Sequence, residues 1–460
     1  GATDEQLDFH ILYASGRQGW ADAELNGARE SLAPLFELIL SHVPAPDLDE
    51  EAPFAMVASI LESDNFLGRV LTGRVEQGRA TVNMPVKVLR GDGTVVETGR
   101  LTKLLAFRGL ERVPVESVAA GDIIAVAGLK EATIPETIGA TELAEALPAD
   151  PVDPPTLSMT FRINDGPLAG REGKKVTSRQ IRDRLYREAE GNVAIRVSDS
   201  TETEAFEVAG RGELQLGVLI EQMRREGFEL TIGRPRVLTR INEETGEREE
   251  PMEEVLIDVD EPYSGVVVDK MSRRKGELVD IRPSGGGKQR LTFRIPSRGL
   301  IGYHGEFLTD TRGTGVMNRL FAGYGPWRGS LEGRRNGALI SNADGESVQY
   351  SLFSLQDRGT LFVGPGEKVY VGMILGEHSR DNDLDVNPIR EKKLTNIRAA
   401  GKDEALLLTP PRKLSLEQAI AYIEDDELVE VTPGAVRLRK RHLDPHARKR
   451  ADRQGDNEAA

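Results

Sequence analysis

The chain has 460 residues, 60 Lys and Arg against 75 Asp and Glu, a net charge of −15 and no cysteine. The missing cysteine excludes disulfides, thiolate metal sites and cysteine nucleophiles, and it fits a reducing cytoplasm. The acidic balance excludes a global attraction to nucleic acid, so any RNA contact must come from local basic patches. The length suggests about three or four domains. No apolar run approaches the roughly 18–20 residues of a membrane span, so the expectation is a soluble, cytoplasmic, multidomain protein that does not bind membranes.

At the start, Ile11, Leu12 and Tyr13 read as the end of a buried strand. Small residues follow (Ala14, Ser15, Gly16), and Ala21 to Val43 reads as an amphipathic helix. Strand, small-residue turn and helix are one half of a nucleotide-binding unit. A Pro- and acid-rich linker follows from Ser41 to Phe54. Residues 51–140 carry many short Val/Ile/Leu-rich strands with turn signals between them, the pattern of a small β-barrel. A second Pro-rich linker spans Glu145 to Pro155.

Residues 155–240 alternate strand, helix, strand, strand, helix, strand, the ferredoxin-like split unit. Its first helix opens with a capping-box pair, Thr177 and Gln180, and places Ile181, Leu185 and Ala189 on one face. Its second carries Leu216, Leu219, Ile220 and Met223 on one face. A second such unit covers 252–328, with a helix from Pro262 to Gly276, a Gly-tipped hairpin, and a helix from Gly299 to Gly313. Residues 329–443 form a mostly β domain with strands at Gln349–Leu355, Lys368–Gly376 and Glu404–Pro410. One helix there starts at the capping pair Ser415 and Gln418. Residues 444–460 lack apolar periodicity and are expected to be disordered.

Phosphate and metal motifs fail on spacing. "PSGGGKQR" and "AGREGKKVTS" lack the Gly, four residues, Gly, Lys, Ser/Thr order of a phosphate loop. Asp381 to Asp385 imitates a calcium loop but has Val386 and Lys392 where Gly and Glu are needed. The six histidines show no ligand spacing, so no metal site is expected. The basic residues are placed more tellingly. Nine of them stand against three acids from Asp269 to Arg298, and eight against two from Arg437 to Arg453. Few aromatics are interleaved, which favours duplex backbone over stacked single strands. Arg273, Arg274 and Lys275 end a helix, Lys288 and Arg290 flank the Gly-rich tip, and the helix end and the Lys288 loop can share one edge of the unit. His378 to Gly401 reads as a long polar loop whose acidic half repels phosphate and whose basic half attracts it.

These residues carry a resemblance. "GRVLTGRVEQGRATVNMPVKVL" resembles the barrel that follows the GTPase domain of translation factors. "FEVAGRGELQLGVLIEQMRREGFELTIGRPRV" resembles the third domain of elongation factor G and LepA, and "EPYSGVVVDKMSRRKGELVDI" their fifth. The stretch from Gly376 to Pro433 is similar to the TypA/BipA family of ribosome-binding translational GTPases, and the resemblance covers all but the last residues. It implies a multidomain α+β protein: a remnant of a P-loop GTPase α/β domain at 1–45, the barrel, two ferredoxin-like domains, and the family's own C-terminal domain. Ser15, Gly16 and Arg17 fall on the last guanine-recognition loop. The phosphate loop, Mg²⁺-binding switches and guanine clamp precede it in the family, so the chain as given is expected to be truncated and inactive. GTP and Mg²⁺ would serve the intact member and are not expected to bind this chain strongly.

The resemblance further implies a monomer acting in large-subunit assembly or translation under stress. Ribosomal RNA, and the tRNA acceptor end, would be met by Arg273, Arg274, Lys275, Lys288, Arg290, Arg298, Arg380, Arg390, Lys392, Lys393, Arg398, Arg437, Arg439, Lys440 and Arg441. The alternatives are a non-catalytic RNA-binding module and a LepA-like factor. No domain stands between the two ferredoxin-like units, which argues against a translocase.

Overall fold

The computed structural model describes residue 3 and residues 7–64, 66–331, 333–391 and 407–458, with backbone alone for 452 and 454–458. It divides into two compact units, 1–150 and 151–460. Among the described residues no helix is long and apolar enough to cross a membrane.

The first unit is built on an eight-stranded antiparallel sheet drawn from residues 55–140. Its long strands are Ala55–Asp64 and Gly68–Gln77. Both carry runs buried on both faces, and Val70, Leu71, Val75, Val86, Val88, Ile124, Val126 and Ile138 are buried.

In the second unit the ferredoxin-like order appears twice. The first module contains β1 (Leu157–Ile163), α1 (Ser178–Gly191), β2 (Arg196–Asp199), β3 (Ala205–Gly210), α2 (Glu213–Arg225) and β4 (Leu230–Ile232). Its strands lie in the order β2–β3–β1–β4. The Thr177 capping box is formed, with Gln180 N donating to Thr177 Oγ1 at 3.3 Å and Gln180 Oε1 accepting from Thr177 N at 3.2 Å. The second module contains β5 (Arg248–Asp260), α3 (Glu261–Arg273), β6 (Glu277–Gly285), β7 (Lys288–Pro296), α4 (Tyr303–Asp310) and β8 (Val316–Pro326). Here β8 and β7 flank β5, and β6 is at the edge. The helix expected from Gly299 to Gly313 is broken. A 3₁₀ turn, Ser297–Leu300, precedes α4, and Gly302 between them is left-handed at φ +70°. A Cβ at Gly302 would also stand 2.7 Å from that of Ala421, so glycine is needed there twice over.

The last domain returns to the first module. Its elements are β9 (Ala338–Ser341), α5 (Gln349–Leu355), β10 (Gly359–Leu361), β11 (Met373–His378), β12 (Leu384–Val386), α6 (Leu416–Tyr422), β13 (Glu427–Val431), β14 (Val436–Lys440) and α7 (Pro445–Glu458). β13 pairs antiparallel with β4, Leu230 opposite Val431 and Ile232 opposite Val429, so one eleven-stranded sheet runs through both. One core serves both: Phe161, Leu219, Ile220 and Met223 pack in the same cluster as Ile374, Ile420, Ile423, Val429 and Leu438.

Several expectations change in this domain. Gln349–Leu355 is a helix, not a strand, and Ser351, Leu352 and Leu355 are buried at helical spacing. Residues 407–410 join no strand, and 404–406 lie outside the described residues. Residues 445–458 of the tail form a helix, α7: Asp444 caps it (Ala447 N to Oδ1, 2.8 Å) and Pro445 suits its first turn. Residues 378–391 are also not structureless: β12 lies parallel to β9.

The cations of β14 and its end face inward, which corrects their assignment to RNA. Lys440, 3% exposed, lies 2.6 Å from Asp383, 2.7 Å from Asp426 and 3.0 Å from Glu427. Arg334 also grips Glu427 through two bonds of 2.9 Å. Arg439, 2% exposed, pairs with Asp165, and Arg437 pairs with Glu172. Arg441 pairs with Glu202 at 2.9 Å. These last three pairs tie β14 to the first module. The sequence shows a basic run, but the fold supplies a carboxylate for each charge, since an unpaired buried charge is prohibitive.

Burial pushes the Glu427 carboxyl up, but the Arg334 hydrogen bonds and the Lys440 charge outweigh it and leave its pKa below the ordinary value. For Asp383, burial is likewise outweighed, by Lys440 and the Ala338 N–H. Burial lowers Lys440, and the three carboxylates more than reverse that, so its pKa is raised. Depressed carboxylates contribute stability above their unfolded values near 4 and lose it as pH falls through the folded ones. The raised lysine contributes at every pH below its unfolded value near 10.4 and loses that only in strong alkali. Two outcomes are expected. Lys440→Met should cost about 3 kcal/mol at pH 7 in urea unfolding, with a clearly smaller loss at pH 3.5; an equal loss at both pH values would mean that packing alone is at work. Ile420→Ala should cost about 2–4 kcal/mol while the first module and the last domain still unfold together; separate transitions would contradict a shared core.

Candidate nucleic-acid interface

The small-residue turn near the start is a hairpin tip. Tyr13–Ser15 pairs with Trp20–Asp22, Ser15 opposite Trp20, and Ser15 O accepts from Gln18 N (3.2 Å) and Gly19 N (2.9 Å). The expected strand–turn–helix is therefore strand–turn–strand. The helix is only Ala33–His42, with Pro34 in its first turn. Asp22 ends the second strand by accepting from Glu24 N at 2.9 Å, which breaks the helical register expected there. Ile11 and Tyr13 are exposed, not buried. Ser15 is half-buried and Gly16 and Arg17 are exposed. Among the described residues no cluster of acids and histidines could hold a metal. These residues do not fit a complete GTP–Mg²⁺ site: the turn offers backbone N–H groups and no phosphate cradle.

The second module separates residues that the sequence grouped. α3 starts at the Gly-rich tip, where Glu261 N donates to Gly287 O (3.1 Å), and runs to the opposite end. Its thirteen residues span roughly 20 Å, so Arg273 and Lys275 do not share an edge with Lys288. Three consecutive left-handed glycines, 285–287, turn the tip. Lys288 there is half-buried, its Nζ 3.5 Å from Thr314 O. Arg290 is held by Asp258 through bonds of 2.9 and 2.8 Å; the same contact lowers the Asp258 pKa and raises that of Arg290. Arg290 is a cross-strand ion pair before it is a phosphate ligand.

At the far end, Arg274 is turned inward. It donates to Gly299 O (3.0 Å), Ile301 O (3.1 Å) and Glu306 (2.8 Å). Arg298 is nearly buried, paired with Glu250 and stacked on Trp327 at 3.9 Å. Both assignments to RNA are corrected: these cations clasp the 3₁₀ turn and the strand end. Arg273 is exposed beside Asp269 at 3.0 Å. Lys275 stops the helix at φ +67° with its ammonium free of any carboxylate among the described residues. Arg328 joins this end, its Nη1 donating to Lys275 O (2.8 Å) and Arg294 O (3.5 Å). Arg294 is exposed and its guanidinium is likewise unpaired among the described residues. Arg273, Lys275, Arg294 and Arg328 thus gather at one end of the module. Reading the sequence missed Arg328, and a register argument pairing Arg294 with Glu277 would have found the neighbourhood.

In the last domain Arg380 and Arg390 are exposed, and two of the three acids between them are used internally: Asp383 holds Lys440, and Asp385 holds Arg448, while Asp381 is exposed. Asp383 and Asp385 of the acidic half therefore serve as anchors. Lys392, Lys393 and Arg398 lie outside the described residues.

Comparison with known proteins bears on the same regions. Residues 68–139 match elongation factor Tu domain 2, 247–335 the elongation factor G C-terminus, and 336–445 the TypA/BipA C-terminal domain. The proteins named large ribosomal subunit assembly factor BipA from Salmonella typhimurium and Escherichia coli are 50% and 49% identical to this chain, over 98% of it and 74% of their own length. That of Synechocystis is 45% identical over 96% of this chain and 73% of its own. A solved structure from Thermus thermophilus, 15% identical, has a TM-score of 0.42 over 64% of this chain and 59% of that one, a likeness too distant to decide the fold. With near half of its residues shared over almost its whole length, and with the C-terminal domain matched, this chain belongs to the TypA/BipA family of translational GTPases.

Proposed function

We propose that this chain is a ribosome-binding factor that acts in assembly of the large ribosomal subunit. The observation that carries the reading is the identity of 45–50% with proteins named for that role, sustained across the C-terminal domain that marks the family. The geometry supports it. The family's C-terminal domain is built into the sheet of the first ferredoxin-like module, and the second module carries an exposed cationic end on a chain of net charge −15. Arg273, Lys275 and Arg294 meet ribosomal RNA phosphates there, and Arg380 and Arg390 add to the contact from the last domain. Lys392, Lys393 and Arg398 extend it toward RNA or a tRNA acceptor end. The protein acts as a monomer in the cytoplasm.

The family's reaction is GTP hydrolysis, and intact members would use GTP and Mg²⁺. Phosphoryl transfer needs a phosphate cradle, a metal and a positioned water. Nothing in these 460 residues matches the phosphate-loop spacing, so these residues by themselves act as the binding part without turnover. Calorimetry with GTP and Mg²⁺ should give no saturable heat in the micromolar range, and a saturable micromolar isotherm would overturn this. For the RNA contact, Lys275→Gln combined with Arg294→Gln should weaken co-sedimentation with ribosomes at least tenfold, about 1.4 kcal/mol. The dependence on salt should become shallower by roughly one unit of slope per phosphate lost. Unchanged affinity across a salt series would leave this end a purely structural feature.

A further inference from the structure

A second set of basic residues lies on the strands of the first module. Arg196 on β2 stands opposite Ala209 on β3, Ala209 opposite Ser158 on β1, and Ser158 opposite Arg236 on the short strand Arg236–Val237. Directly opposed residues in antiparallel ladders share a face. The four therefore form one rung across four strands, with an arginine at each end and two small residues between. Their neighbours Met159, Val197 and Val208 pack into the core on the other face, so the rung lies on the face without helices. Arg196 and Arg236 are exposed, and so is Arg211, one residue past β3, whose carbonyl accepts from Thr156 Oγ1 at 2.7 Å.

None of these three guanidinium groups has a carboxylate partner among the described residues, in contrast to the arginines of β14. Glu207 is an acid on the same face, one rung further. It accepts from Thr160 Oγ1 at 2.7 Å and from Ser200 Oγ at 3.4 Å. Three strand spacings of about 4.8 Å put the backbones of Arg196 and Arg236 roughly 14 Å apart.

We infer that this face docks the backbone of duplex RNA. Arg196 and Arg236 take phosphates on the two strands that border a minor groove, and Arg211 takes a neighbouring one. Guanidinium forks match phosphate oxygens, and three unpaired forks on an acidic chain are poised for an anion. The floor of Ala209 and Ser158 is low enough for a sugar edge to approach, and the Ser158 hydroxyl can meet a 2′-OH in the wide, shallow minor groove of an RNA helix. The rung carries no aromatic ring, so unpaired bases have nothing to stack on, which favours duplex over single strand. The inference deepens the ribosome reading, since ribosomal RNA is where such a duplex would be met.

The test uses the full chain and a fluorescent 20-base-pair RNA duplex of mixed sequence. The parent should bind saturably. Replacing Arg196, Arg211 and Arg236 together with Gln should lower affinity at least tenfold and flatten the salt slope by about two to three units. Lysine at the same three positions should keep most of the binding, and thermal unfolding of all variants should match the parent because no internal partner is lost. Equal duplex binding by parent and Gln variant overturns the inference. So does competition by oligo(U) or polyglutamate as effective as that of the duplex itself. Co-sedimentation of the parent with ribosomes tests the proposed function separately: its failure there leaves the duplex result standing, and loss of the duplex result leaves ribosome binding standing.

Discussion

The pairing of β4 with β13 is the contact on which the second unit depends. Three residue pairs, Leu230 with Val431, Thr231 with Glu430 and Ile232 with Val429, join chain segments about 200 residues apart. Loop-closure entropy grows only logarithmically with length, so so long an excursion is tolerated if the contact it closes is strong enough. Here it is reinforced on both faces. On one side Ile420 and Ile423 of the last domain pack with Leu219, Ile220 and Met223. On the other, Glu430 accepts from Asn164 (2.8 Å) and from Tyr370 (2.6 Å), with Arg437 beside it. A family-specific domain and a widespread ferredoxin-like module thereby become one structural body, and the second module is an insertion between its halves.

That inserted module meets the rest through few polar groups. Glu213, at the start of α2, accepts from Gly302 N at 2.9 Å, and burial keeps its carboxyl above the ordinary pKa against that hydrogen bond. A raised carboxyl pKa is a cost at neutral pH, so this junction is held by shape, with Gly302 closed against Ala421, more than by charge. The ionic groups of β14 work in the opposite sense, with every carboxylate matched to a cation.

Charge patterns along the chain were informative about sign and poor about address. The run from Arg437 to Arg441 and the run from Arg273 to Arg298 look alike in one dimension. The first is almost wholly internal. The second is divided: Arg274, Arg290 and Arg298 are bound by protein, while Lys275 and Arg294 face solvent. The difference comes from which carboxylates the topology brings within 4 Å, and these belong to distant positions such as Asp165, Glu172 and Glu202. Three further arginines without a carboxylate partner, Arg196 and Arg236 in separate strands and Arg211 just past a third, stand singly, and no run of basic letters marks them.

Features that are local, or repeated over a few turns, were legible in the order of residues. The two β-α-β-β-α-β orders, the capping boxes at Thr177 and Ser415, and the apolar face of α2 follow from periodicity and side-chain reach over three or four residues. Family membership, too, was legible, because near half of the residues are retained with their spacing. Tertiary structure alone decided the rest. Gln349–Leu355 became a helix whose Leu352 and Leu355 pack into one core. The start of the chain became a hairpin, with Asp22 capping the strand end. The basic residues sorted into internal pairs and free cations because burial tolerates a charge only beside its counter-charge, and strand pairing, which joins residues hundreds of positions apart, decides where that counter-charge lies.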